Sequence, residues 1–252
     1  MLNKESPLKQ YLLTLVLVAM AIGVTVWMTS LGQVGLYFVA TPGKLLKAAV
    51  VHIKLVVAAE ILAILIGISL GFVISRPKLK FFSPFIIGFV NMGQTIPTLA
   101  AIAILGIILG FGFLAGVIVL FVYATLPIVR NTYAGIISVD PSIKEAGRGM
   151  GMTLSQVTQR VELPLAWPVI IAGIRTSTVI NVGTAAVAGM VGAGGLGEVI
   201  TMGIAVRHME LVIQGAALTA ALAILLDALL AGLESWMTPR GLKVAKAAAG
   251  VL

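Results

Sequence analysis

Six apolar stretches run through the chain: Tyr11–Met28, then about Leu55–Ile74, Phe85–Leu109, Phe113–Val129, Val169–Val191 and Leu211–Leu233. Each carries at most one charged side chain. About twenty apolar residues in helical form cross a bilayer core. Inside that core there is no water to satisfy N–H and C=O groups, so a span must bond its own backbone, as a helix does. Composition agrees, with 60% hydrophobic and 10% charged residues, against about 25% charged in soluble domains. The predicted class is all-α: a polytopic membrane protein of about six transmembrane helices. It forms a single domain over residues 1–252, with an N-terminal span at about 11–28 and core spans between about 55 and 233. The first stretch follows a basic start, Lys4 and Lys9, as a signal peptide would. It is longer than a usual apolar signal core and no small-residue cleavage site follows, so it reads as a retained span.

The basic residues predict an orientation. With the N-terminus in the cytoplasm, twelve of the seventeen Lys and Arg fall on the inside, among them Arg76, Arg130, Lys144 and Arg160. Only Lys44, Lys47, Lys54 and Arg207 fall outside, and Arg175 lies within a span. The positive-inside rule therefore places both termini in the cytoplasm. It also assigns the net charge of +8 to cytoplasmic loops rather than to nucleic acid. Thr41-Pro42-Gly43 marks a short interfacial helix in the external stretch. There is no cysteine, and His52 and His208 stand apart without ligand partners, so neither thiol chemistry nor a metal site is expected.

Polar groups inside spans are candidate path residues. Asn91, Gln94 and Thr95 sit beside Pro97, where they either line a translocation path or satisfy the carbonyl that a proline frees. Glu60 reads as an interior hydrogen-bonded carboxyl. Arg175 and Asp227 lie at similar depths on sequential spans, and pairing relieves the cost of either charge alone. The expectation is an Arg175–Asp227 contact that holds the fifth span to the sixth. No clustered acid, base or nucleophile suggests a catalytic site. The aromatic residues are too sparse to predict a cage for a cation.

The string GAGGLG, Gly192–Gly197, matches the G-x-G-x-x-G dinucleotide fingerprint in letters alone. It follows an apolar helix rather than a strand, and twenty residues on stands Ala216-Ala217 rather than an acid. The expectation is a helix-broken packing segment outside the membrane, with Gly192, Gly194, Gly195 and Gly197 admitting close contact.

The connection before the fifth span, about residues 139–164, is the most informative. Asp140 caps a helix that opens on Pro141 and runs out at Gly149 and Gly151. Thr153 and Gln156 fit a capping box for a second helix. Leu154, Val157 and Val161 form its apolar stripe, and it ends at Leu163-Pro164. This predicts a cytoplasmic helix–turn–helix. Glu145-Ala146-Gly147, then Gly151 six residues after the Glu, then Val161-Glu162-Leu163-Pro164, resemble the "EAA" loop of ATP-binding-cassette importer permeases. In that pattern E-A-A is followed by G and by I-x-L-P; here Gly147 replaces the last Ala and Val161 the Ile. "HIKLVV", "NMGQTIPTLA", "LPIVRNTYAGI" and "VGAGGLGEVI" extend the resemblance to the glycine betaine, carnitine and choline branch.

The resemblance implies a permease subunit in the plasma (inner) membrane, with Glu145, Ala146, Gly147, Gly151, Leu163 and Pro164 as the ATPase-coupling residues. It implies as partners a dimer of ATPase subunits, an external substrate-binding protein and a second permease subunit, identical or paralogous, all within membrane lipid. The chain has no G-x-x-x-x-G-K-[ST] loop, so ATP is expected on the partner and no cofactor on this chain. The runner-up within the same fold is a permease for methionine, phosphonate or another small solute. An ion-coupled secondary transporter is disfavoured because neither internal repeats nor paired broken helices are visible.

Overall fold

The computed structural model describes residues 7–33 and 41–238, and among them all regular structure is helical. Helix α1 spans Pro7–Gln33 and α2 spans Pro42–Ile74. A short 3-10 turn, Lys80–Phe82, leads into α3, Ser83–Thr95, and then α4, Thr98–Leu109. Helix α5 covers Phe113–Ile137. The loop holds α6, Pro141–Gly149, and α7, Leu154–Val157, followed by a π turn at Thr158–Glu162. Helix α8 is Leu163–Ala188, α9 is Leu196–Ala205 and α10 is Met209–Met237.

Contact registers give the helix directions. Gly116 of α5 lies against Leu55 of α2, Gly67 against Ile128, and Gly71 against Thr132. Both helices advance together, so α2 and α5 are parallel. A parallel neighbour in one bundle requires the chain to cross back between them, and α3 with α4 does so as a bent passage. The break follows from Pro97: Ile96 is held extended at φ −73° and ψ 127°, as a residue before proline prefers, and the two helices meet at 89°. Helix α8 runs against α5, since Gly135 meets Ala166 near one end and Ser177 donates to the Ala124 carbonyl further along. Helix α10 returns beside α8. Its start, at Gly215, packs on Leu196 and Ile200 of α9, and its later residue Asp227 meets Arg175.

Helix α5 is the axis of the bundle. It contributes Val119, Leu120 and Tyr123 to a core shared with Leu55, Val56 and Ala59 of α2, Ile102 of α4, and Val182 and Ala185 of α8. By contrast α10 is mostly unburied in the single chain and is covered on one side by α1.

Several expectations are corrected. Among the described residues four helices are by themselves long and apolar enough to cross a membrane, five when the bent pair is taken as one span. The third expected stretch is the bent pair, broken at Pro97, and α1, Pro7–Gln33, carries the first, the uncharged Tyr11–Met28. There is no separate interfacial helix at Thr41-Pro42-Gly43. Pro42 opens α2 itself, and the exposed Lys44, Lys47 and Lys54 ride on its first turns rather than ending it. The second loop helix does not stop at Leu163-Pro164; it passes through the π turn into α8.

Candidate functional site

The α5–α8 connection is built by local capping. The Asp140 carboxylate accepts from the Ser142 N–H at 2.8 Å, which holds its carboxyl below the ordinary aspartate range. Pro141 follows in the first turn, where a missing N–H costs nothing. On α6, Glu145 and Ala146 are exposed while Gly147 is buried. A Cβ at Gly147 would meet Val157, Met152 and Val161 at 3.5–3.7 Å, so this face rests on the next turn at ordinary contact distance. The chain reverses at Gly151, whose φ is +82°, a conformation open to glycine and strained for β-branched residues. Thr153 and Gln156 then exchange both capping-box hydrogen bonds, at 2.9 and 3.3 Å. The expected stripe is only partly inward. Val157 is buried and Val161 half-buried, but Leu154 is 68% exposed, because it heads the turn at the loop tip while the other two lie under α6.

The π turn has a visible cause. Pro164 has no N–H to return to Arg160, and the Leu163 N–H reaches back five residues to the Thr158 carbonyl, as in a π turn. This widened turn carries Glu162 to the inside, 7% exposed. Its Oε2 accepts from Arg76 Nη1 at 2.8 Å and from Thr158 Oγ1 at 3.1 Å, and its Oε1 lies 3.2 Å from Lys144 Nζ. Lys144 also donates to the Ile136 carbonyl at 3.3 Å. Arg76 lies over the Phe72 ring at 4.1 Å. In the sequence Glu162 stands only as the variable letter before Leu-Pro. The available signal was an acid that opens an apolar helix with cations nearby in the fold, but one partner is 86 residues away in the chain. Leu163 and Pro164, with Ile68, Gln159, Trp167 and Met237, line a cavity of about 380 Å³.

The other expected residues fall in three places. In the bent passage, Gln94 Nε2 donates to the Tyr123 carbonyl at 2.7 Å. That carbonyl lies four residues before Pro127, whose missing N–H leaves it free. Tyr123 answers by donating its hydroxyl to the Ile96 carbonyl at the break. Thr95 bonds within its own helix, to Met92, and the Oδ1 of Asn91 is buried without a partner.

Between α8 and α10, Arg175 Nε and Nη2 meet the two Asp227 oxygens at 2.7 and 2.9 Å, and Nη1 meets Glu234 at 3.1 Å. Glu234 was not anticipated as a third member.

At the opposite end of the bundle, Gly192, Gly194 and Gly195 all have φ near +80°. A Cβ at Gly195 would meet the His52 backbone at 3.1–3.2 Å, and one at Gly197 would run into the Ala186 carbonyl. The segment joins helix to helix, with no strand before it. Glu60, also buried, accepts from Asn181 at 2.7 Å. Among the described residues no group of three or more His, Cys, Asp or Glu could hold a metal ion.

Residues 63–239 match the family described as binding-protein-dependent transport system inner membrane component. The osmoprotectant import permease protein OsmY of Salmonella typhimurium is 44% identical over 188 residues, covering 75% of this chain and 80% of that protein. The choline transport system permease protein OpuBB of Bacillus subtilis is 43% identical over 201 residues, covering 80% and 92%. Among solved structures, an inward-facing methionine ABC transporter superposes with a TM-score of 0.68 at 23% identity, over 78% of this chain and 97% of that one. That likeness concerns the fold.

Proposed function

The chain belongs to the binding-protein-dependent transport system inner membrane component family, and from that premise we propose that it is the membrane-spanning subunit of an ATP-driven importer of quaternary-ammonium osmoprotectants, the class of glycine betaine, choline and carnitine. It is a transport component rather than an enzyme. The observation that carries the reading is the loop after α5. Its exposed face presents Glu145 and Ala146 ahead of the Gly151 turn, and relatives named for osmoprotectant and choline transport match most of the chain at 43–44% identity.

In this reading a separate ATPase subunit docks on the exposed face of α6, one copy on each of two permease subunits. Closure of the ATPase pair displaces α6, and the bundle shifts between two states that expose the path to opposite sides. The loop end of the bundle faces the cytoplasm, the glycine-rich end faces outward to receive cargo from a binding protein, and α1 supplies a sixth crossing. Asn91 is the candidate path residue of the bent passage, since its buried Oδ1 has no partner. Gln94 serves the carbonyl that Pro127 frees.

The test is reconstitution with the cognate ATPase and binding protein, followed by ATP-dependent uptake of labelled glycine betaine, choline, carnitine and methionine in parallel. Uptake of one or more quaternary amines is expected. Uptake of methionine alone, or of none of them by an assembled complex, overturns the assignment.

A further inference from the structure

Among the described residues of the loop end, Glu162 is the carboxylate that joins several parts of the fold at once. Its two oxygens take hydrogen bonds or ion pairs from Arg76, just past the end of α2, from Lys144 on α6, and from Thr158 in the π turn. Lys144 reaches on to the Ile136 carbonyl on α5. One buried group thus ties α2, α5, α6 and the root of α8 together. A carboxylate offers about four acceptor positions, and three are used here, two of them by cations. Bonds of this kind are directional and stronger than neutral ones.

The placement on α6 matters. Lys144 precedes Glu145, so the exposed and inward faces of this nine-residue helix are served by adjacent side chains. Besides Lys144, the inward face of α6 has Gly147, which faces Val157, Met152 and Val161 at ordinary contact distance and whose carbonyl accepts from the Met152 N–H at 3.2 Å. That hydrogen bond stays within the loop, whereas Lys144 reaches Glu162 and the Ile136 carbonyl beyond it. The π turn completes the arrangement, because it swings Glu162 inward and brings Thr158 within reach of its carboxylate.

We propose that Glu162 is a positioning residue for coupling: with Arg76 and Lys144 it forms the charge clamp through which displacement of α6 reaches α2, α5 and α8 together. This rests on the function proposed above. Without the clamp α6 can still bind its partner, but its movement is taken up in the loop.

The experiment measures cargo transported per ATP hydrolysed in the complete complex in proteoliposomes, alongside the amount of ATPase that co-purifies. Glu162→Gln keeps the shape and removes the charge. It is expected to leave ATPase recruitment and hydrolysis in place while transport per ATP falls about tenfold, the factor that the loss of one charge-assisted hydrogen bond corresponds to. Arg76→Gln should do the same, and Arg76→Lys, which keeps the charge, should recover most of the ratio. Lys144→Gln tests the clamp from the loop side if Glu162→Gln fails to assemble. A parallel fall in hydrolysis and transport with an unchanged ratio marks a purely structural ion pair and overturns the proposal, as does an unchanged ratio in both Glu162→Gln and Lys144→Gln. A wild-type chain that recruits no ATPase removes the functional reading itself, and the clamp's role with it.

Discussion

Gly147 and Gly151 lie four residues apart in the loop and have opposite reasons for being glycine. At Gly147 the backbone is helical, and an added Cβ would sit at ordinary contact distance from Val157, Met152 and Val161. Gly147→Ala, which restores the E-A-A letters, should therefore be tolerated and raise loop stability by up to about 1 kcal/mol, the usual gain of alanine over glycine in a helix. At Gly151 space is open, but φ is +82°. Gly151→Val should cost about 1–3 kcal/mol in backbone strain and lower the yield of ATPase-bound complex while the spans still insert. Co-purification of the ATPase with each variant checks both; normal recovery with Gly151→Val would show that the turn relaxes. The same loop has a pH signature. Asp140 has a folded pKa below its unfolded one, so its contribution is present at neutral pH and is lost as pH falls through the folded value. Asp140→Asn, an uncharged cap, should flatten that acid dependence of loop protection in hydrogen exchange; an unchanged acid limb would assign it to another group. The end of α6 at Gly149–Gly151 was legible from the glycines themselves. The inward role of Glu162 was not, because its partners come from α2 and α6 and no local pattern announces them.

At the scale of elements, prolines decide where the bundle departs from straight spans, and their consequences are paired across helices. Pro127 frees the Tyr123 carbonyl of α5, Gln94 of α3 bonds it, and the Tyr123 hydroxyl bonds Ile96 at the break before Pro97. Gln94→Leu should thus lower the melting temperature of the detergent-solubilised protein with Pro127 present. It should do so far less in a Pro127→Ala background, where the restored N–H takes the same carbonyl. Equal losses in both backgrounds would detach Gln94 from Pro127. The Arg175–Asp227 contact between α8 and α10 calls for the same kind of cycle. Arg175→Gln and Asp227→Asn should each reduce stability, and the double variant should lose less than the sum; additive losses would mean that the charges act independently. That contact was readable in sequence because two isolated charges in apolar helices at one depth have few other partners. The bent passage was readable only as a polar, proline-bearing stretch, since hydropathy records that Phe85–Leu109 is apolar and says nothing of an 89° bend. The continuation of α7 into α8 was hidden for a related reason. Leu163-Pro164 looks like a helix end, and only the π turn lets the helix run through it.

For the whole molecule, sidedness follows from direction and charge together. Helices α2, α5 and α10 run one way and α8 the other, so Ile74, Ile137, Leu163 and Met237 share one end, and Lys44, Lys47 and the glycine-rich segment share the opposite end. If the positive-inside rule governs, the first end, with Arg76, Arg130, Lys144, Arg148 and Arg160, is cytoplasmic. The chain has no cysteine, so single cysteines report sidedness without background. Ser142 on α6, Lys47 on α2 and Ser30 near the end of α1 are all exposed. An impermeant maleimide added to intact cells should label Lys47→Cys and Ser30→Cys, and should reach Ser142→Cys only after permeabilisation. A tag at the N-terminus should also be reached only after permeabilisation if α1 crosses. Both outcomes for α1 are needed, since a helix lying along the outer surface would expose Ser30 and the tag alike, leaving five crossings instead of six. Labelling of Ser142→Cys in intact cells would place the loop outside, where no ATPase could reach it, and would end the coupling assignment along with the topology.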